Sequence, residues 1–230
     1  MSTMFSSKSR KAIAAIALIA TTGLSAAACG SSDDSSSSSS SSETKAAAPK
    51  PVAAIDSLKG NDTQVTLDQG FVDAITSLGL TPGVLGTATL TDGVLAFPIT
   101  GGNVDYYDPN ESYRPYVQGS ISHDGSGISL STADIEVDLT DFRIDPGTSQ
   151  LFGTVTANGE KVADDVYIFN LDGSTLKPLA MDADGNAVLE GTTVLISPDA
   201  AKLLNDTFGT DAVTDQLVVG IAKITAKAAS

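Results

Sequence analysis

Ile135-Glu136-Val137-Asp138-Leu139 alternates apolar and acidic side chains without a break. A β-strand turns successive side chains to opposite faces, so this run has one dry face and one wet face. The sequence on either side fits strands as well. Five Asp-Gly or Asn-Gly dipeptides punctuate the chain: Asp92-Gly93, Asp124-Gly125, Asn158-Gly159, Asp172-Gly173 and Asp184-Gly185. Both residues of such a pair tolerate positive φ, and each pair predicts a tight hairpin. Thr63–Leu67, Gly86–Leu90 and Leu217–Thr225 read as further strands, and Thr81-Pro82-Gly83 as a turn. Val166-Tyr167-Ile168-Phe169 is almost wholly apolar and is expected to lie deeper. Short strands with regular turns predict a mainly β fold, an antiparallel β-sandwich or open barrel.

Two short helices interrupt the strands, at about 68–78 and 198–208. Asp68 is a natural N-cap, and Phe71, Val72, Ile75 and Leu78 recur at helical spacing before Gly79. Ser197 caps the second helix, Pro198 takes its first position and Gly209 ends it, with Ala201, Leu204 and Phe208 on one face. Each helix is flanked by strand-like runs. Either the two strand–helix–strand units pack near each other and close the sheet, or two capped amphipathic helices look alike by coincidence.

The chain of 230 residues has 13 Lys+Arg against 28 Asp+Glu, a formal charge of −15. Three basic residues, Lys8, Arg10 and Lys11, precede an apolar run from about Ala12 to Leu24, and small residues follow to Ala28. These are the parts of a signal peptide over residues 1–28, with an apolar stretch too short for a confident membrane span. Without that leader 10 basic residues face 28 acidic ones, a charge of −18. Such a chain is not built for nucleic acid, whose phosphates need a basic surface. Residues 29–51 include the unbroken serines Ser35–Ser42 and then Pro49-Lys50-Pro51, too polar to bury, and read as a disordered spacer. Residues 52–230 remain for a single β-rich domain. Trp is absent and Cys29 is the only cysteine, so an aliphatic core without disulfides must hold it.

The stretch Leu24-Ser25-Ala26-Ala27-Ala28-Cys29-Gly30-Ser31-Ser32 resembles the lipobox of bacterial lipoproteins. Ala26 departs from the pattern, which more often has Leu there. The resemblance implies cleavage before Cys29 and addition of diacylglycerol to its thiol, with palmitate among the acyl chains. The domain would then be held at the outer face of the cytoplasmic membrane. The alternative is ordinary secretion after the alanine run, which leaves a free cysteine.

Four of the five tyrosines, Tyr106, Tyr107, Tyr113 and Tyr116, crowd into residues 106–116 together with Arg114. Pro, Asn and Asp make this a loop. Clustered tyrosines suit a contact surface, and they equally suit a loop that packs its own rings over one end of a barrel. Arg114 could stack on a ring or pair with Glu111. His123 is the single histidine; in Ser122-His123-Asp124-Gly125 it reads as a turn or surface residue. Asp182, Asp184, Asn186 and Glu190 offer oxygens at the alternate spacing of a weak calcium loop, although the turn glycine and the closing glutamate of an EF-hand are missing. Asp105, Asp108, Glu111 and Asp124 are the acids a hydrolase reading would use.

Gly119-Ser120-Ile121-Ser122-His123-Asp124-Gly125, continued to Phe152, resembles a segment of bacterial haem-uptake domains of the Htaa type. The resemblance implies a haem-binding tyrosine supported by a histidine. Only His123 can be placed on it, because the family's aromatic opening segment is missing. The first expectation is therefore a lipid-anchored cell-surface protein displaying a non-enzymatic binding domain for a cell-wall or small-molecule ligand, with no resident cofactor. A haem or small-ligand carrier and a cell-wall hydrolase are the alternatives.

Overall fold

The computed structural model describes residues 48–228. The expected signal peptide, Cys29 and the serine run lie outside the described residues. Thirteen strands and two helices follow one another: β1 (Ala53–Ile55), β2 (Asp62–Leu67), α1 (Gln69–Ser77), β3 (Thr81–Gly86), β4 (Thr89–Thr91), β5 (Val94–Pro98), β6 (Gly101–Tyr106), β7 (Val117–Ser131), β8 (Glu136–Asp145), β9 (Gln150–Ala157), β10 (Glu160–Asp172), β11 (Ala180–Met181), β12 (Ala187–Ile196), α2 (Pro198–Phe208) and β13 (Val218–Ala226). No described helix is long and apolar enough to cross a membrane.

The fold is mainly β, as the alternating run and the turn dipeptides predict. The strands form one antiparallel sheet curled into a half-barrel, in the order β1-β6-β7-β8-β9-β10-β12-β13-β2-β5-β4. β11 adds to β12, and β3 adds to the second half of β7. The short corner from Pro98 to Gly101 carries the chain from one margin of the sheet to the other, since β5 pairs with β2 and β6 with β7. Thr100 stitches that corner: its N–H donates to the Ser122 carbonyl at 2.8 Å, and its Oγ1 accepts from the Asp124 N–H at 2.9 Å.

Three dipeptides form the expected hairpins, Asp92-Gly93 between β4 and β5, Asn158-Gly159 between β9 and β10, and Asp184-Gly185 between β11 and β12. In the first two pairs both residues have positive φ, from 50° to 80°. Two depart from expectation. Asp172-Gly173 opens a longer connection to β11. Asp124-Gly125 is a bulge inside β7, where the register steps from His123 opposite Phe142 to Gly127 opposite Thr140. The Asp141 carboxylate accepts the Gly125 N–H at 2.8 Å and holds that bulge. Thr81-Pro82-Gly83 is strand rather than turn. Pro82 is tolerated because β3 pairs on one side only.

Both helices start and stop where their caps predict. The Asp68 carboxylate accepts the Gly70 N–H at 2.8 Å, and Gly79 follows α1 at φ 71°. Ser197 Oγ accepts the Ala200 N–H at 3.0 Å, and Gly209 closes α2 in the left-handed region. The two ends of the described domain do meet, because β13 lies between β12 and β2. The two units still differ: α2 joins neighbouring strands, whereas the strand after α1 crosses to β7.

The core is aliphatic with a phenylalanine cluster, and includes Val137, Val155, Ile168, Leu58 and Phe142. Each such fully buried side chain contributes about 1.5–3 kcal/mol. As expected, Ile168 and Phe169 are buried, and Val166 and Tyr167 are half-buried.

Candidate functional site

α1 follows β2 and α2 follows β12, so both helices stand at one end of the half-barrel. The other end is open. There the two-residue period of the strands turns Ala222, Ile224 and Ala226 of β13, and Val104 and Tyr106 of β6, to the inside. Ala187 on β12 and Ala53 and Ala54 on β1 face the same space. Alanine fills little of the room between curled strands, and a cavity of about 490 Å³ results. This is the size of a small-molecule site. Ile121, Ile144, Leu151, Leu171, Leu176 and Leu189 make its wall apolar.

Arg114, Pro115 and Tyr116, the last residues of the loop 107–116, form one side of this cavity. The Tyr107 N–H donates to the Tyr116 carbonyl at 2.7 Å and closes the loop. Asp108 braces it by accepting from the Asn110 N–H at 2.8 Å and from its side-chain amide at 2.9 Å. The Arg114 guanidinium binds the loop from within. Nη1 donates to the carbonyls of Glu111 at 2.5 Å and Tyr113 at 2.8 Å, and Nη2 donates to that of Pro109 at 2.9 Å. It also lies 5.6 Å from the Tyr116 ring centroid. Both expected roles of Arg114 are thereby resolved: it stacks on a ring, and it takes the carbonyl of Glu111 rather than its carboxylate.

The tyrosine cluster divides. Tyr106 and Tyr116 meet edge to face at 5.9 Å and line the cavity, with Arg114 beside them. Tyr107 and Tyr113 pack on each other at 4.7 Å and do not line it.

His123 is not a turn or surface residue. It sits in β7, 1 % exposed, against the Phe97 ring at 6.4 Å. The turn expected at Asp124-Gly125 is a bulge, so the strand continues through the histidine and points it inward. Nδ1 lies 3.3 Å from the Phe142 carbonyl, and Nε2 lies 2.8 Å from Thr63 Oγ1. A carbonyl only accepts, so the neutral ring is assigned its proton on Nδ1, and Nε2 accepts from the Thr63 hydroxyl. Burial lowers the histidine pKa to about 4, against the opposing pull of the Phe142 carbonyl, Asp124 and Asp62.

His123 and the tyrosines do not share one pocket. The histidine borders a separate void of about 40 Å³ with Phe97 and Phe142. Thr63, Ile144 and Leu151 border both spaces.

The calcium loop does not assemble. The Asp182 carboxylate is spent on the turn, accepting from the N–H groups of Asp184 and Asn186 and from the Asn186 side-chain amide at 2.8–2.9 Å. Those bonds, the Asn186 amide foremost, lower the Asp182 pKa. Glu190 pairs with Lys177 at 2.7 Å instead. Among the described residues no three His, Cys, Asp or Glu gather to hold a metal. Asp105, Asp108, Glu111 and Asp124 do not line the cavity; Asp124 accepts from the Thr100 hydroxyl at 3.1 Å.

Sequence reasoning missed Thr63, the β1 wall and the alanines. Alanine at inward strand positions, where β-branched residues are favoured, was the available signal.

No protein-family model matches the chain, and no curated protein matches it. The solved C-terminal domain of HtaA from Corynebacterium glutamicum is similar in fold, with a TM-score of 0.50 at 13% identity, over 76% of this chain and 99% of that one. That likeness is in the fold, and it agrees with the resemblance carried by Gly119–Phe152.

Proposed function

We propose that this protein is an exported, lipid-anchored binding protein whose β-domain takes an apolar small molecule into the cavity bordered by Arg114, Pro115 and Tyr116. The cavity carries the reading. About 490 Å³ of space with an almost wholly apolar wall exposes hydrophobic surface to water unless something apolar fills it. No acidic side chain lines it, which favours binding over acid–base hydrolysis. The lipobox-like Cys29 and the serine spacer supply the tether.

Two measurements test this. A neutral fluorescent hydrophobe should bind the purified chain with one site, and Ala222→Phe, which fills the space, should abolish it. Binding that survives Ala222→Phe in a folded variant refutes the cavity as the site. Separately, Cys29→Ala should move the protein from the membrane fraction to the soluble fraction without changing the melting of the domain. Retention in the membrane removes the lipid anchor from the proposal.

Haem is the second reading, favoured by the HtaA-like fold and by Tyr106 and Tyr116 on the cavity wall. Against it, both ring nitrogens of His123 are engaged by Phe142 and Thr63, away from either tyrosine. Hemin titration decides it: a Soret shift lost on replacing Tyr106 or Tyr116 with Phe supports haem, and an unshifted spectrum rejects it.

A further inference from the structure

Among the residues lining the large cavity, Arg114 is the only one with a charged side chain. The setting is unusual in a chain of formal charge −15. The described lysines and arginines that form ion pairs do so elsewhere: Arg143 with Asp165, Lys161 with Asp164, Lys177 with Glu190 and Lys202 with Asp206. Arg114 has no carboxylate partner among the described residues. Its three hydrogen bonds all go to neutral backbone carbonyls, which fix the guanidinium without cancelling its charge. A guanidinium carries five N–H donors, so two remain for another acceptor. With the Tyr116 ring beneath it and Pro115 beside it, the exposed group stands at the border of the apolar space.

We infer that the ligand of this cavity is an amphipathic acid, with an apolar body in the half-barrel and one anionic head, a carboxylate or a phosphate, on Arg114. This rests on the cavity being a binding site and names what it selects. An apolar wall cannot tell one hydrocarbon from another, whereas a fixed, unneutralised fork recognises two oxygens of a carboxylate or a phosphate by two charge-assisted hydrogen bonds. The absence of acids from the lining leaves nothing there to repel that head or to attract an amine. Arg114 is thus both the brace of the loop and the specificity determinant of the site.

The test compares decanoate, decyl phosphate, decanol and decylammonium, each below its micellar concentration, by equilibrium dialysis against the purified full chain. Decanoate or decyl phosphate should bind at least about fivefold more tightly than decanol, and decylammonium no better than decanol. Which of the two anions leads distinguishes a carboxylate head from a phosphate head. Arg114→Gln should erase the anion preference, so that neither anion binds more tightly than decanol to the same variant, and Arg114→Lys should restore part of it. Equal binding of anion and alcohol, tighter binding of the amine, or a preference that persists in Arg114→Gln overturns the inference and leaves the cavity reading standing. Failure of all four ligands to bind overturns the cavity reading as well. If Arg114→Gln loses decanol too, the loop has collapsed. Arg114→Lys then decides, and an intact loop without the anion preference there refutes recognition by charge at this position.

Discussion

Replacing His123 with Gln should flatten the acid limb of the stability profile. The folded chain holds the ring neutral, 1 % exposed, with a pKa of about 4 in place of 6.5. The sign follows from proton counting. Above the unfolded value both states are neutral and the histidine adds no pH dependence. Between 6.5 and about 4 the unfolded chain binds a proton that the folded chain refuses, so stability falls as pH falls. Below about 4 both states are protonated and the loss stops growing. Integrated from about pH 7.5 to about pH 4.5, the term is about 2.5 kcal/mol. The groups facing the ring set the direction. Protonation would put a second N–H against Thr63, whose hydroxyl must then cease to donate, with Phe97 closing the remaining side. The Asp124 and Asp62 carboxylates favour the cation but do not outweigh burial. Urea melts followed by circular dichroism at the two pH values give the profile for wild type and for His123→Gln. Other carboxylates titrate in both proteins, so the difference between the two pH slopes isolates the histidine. Slopes that agree within about 0.5 kcal/mol would refute a buried neutral ring.

Two further stability effects follow from the fold. Ser197 is fully buried, caps α2 and also donates to the Tyr167 carbonyl at 2.6 Å, so Ser197→Ala should cost about 2–3 kcal/mol. The exposed cap Asp68 makes one such bond, and Asp68→Ala should cost about 1 kcal/mol, so equal thermal shifts for the two would contradict their different burial. Gly102 has φ 117°, and a Cβ there would lie 1.9 Å from the Ser120 carbonyl oxygen, so Gly102→Ala should cost about 2–4 kcal/mol. Gly93 has φ 77° but open space, and its Ala variant should cost about 1 kcal/mol by the same urea melts.

Where the fold was legible, local chemistry and tertiary structure agreed. Asp68 and Ser197 cap the helices they precede, because an oxygen one step before a helix satisfies an orphan N–H whatever lies around it. Asn158-Gly159 turns because both residues accept positive φ. The same rule failed at Asp124-Gly125. Nothing local distinguishes a hairpin from a bulge; the distinction comes from Asp141 and Thr100, at 16 and 24 residues' separation, which hold the strand straight through the dipeptide. Pro82 misled for a similar reason: a proline rules out a central strand but not an edge, and whether β3 is an edge depends on the whole sheet.

The site was less legible because a cavity is defined by what the wall does not touch. Ile121, Ile144 and Leu151 are apolar strand residues in sequence, and the residues bordering the cavity read the same as those filling the core. His123 shows the converse. Its polarity invited a place in a turn, yet the Phe142 carbonyl and the Thr63 hydroxyl satisfy both nitrogens and make it a core residue. Arg114 stood out by charge alone, and its partners could not be foreseen. Glu111, three residues before it, offered the obvious ion pair. In the folded loop the carbonyl of Glu111, not its carboxylate, meets the guanidinium. Three carbonyls of a largely exposed loop are thereby satisfied, while the arginine keeps its charge where the loop borders apolar space. An ion pair at that position would have stabilised the loop and neutralised the border, so the choice of carbonyls over a carboxylate is what leaves the cavity able to distinguish an acid from an alcohol.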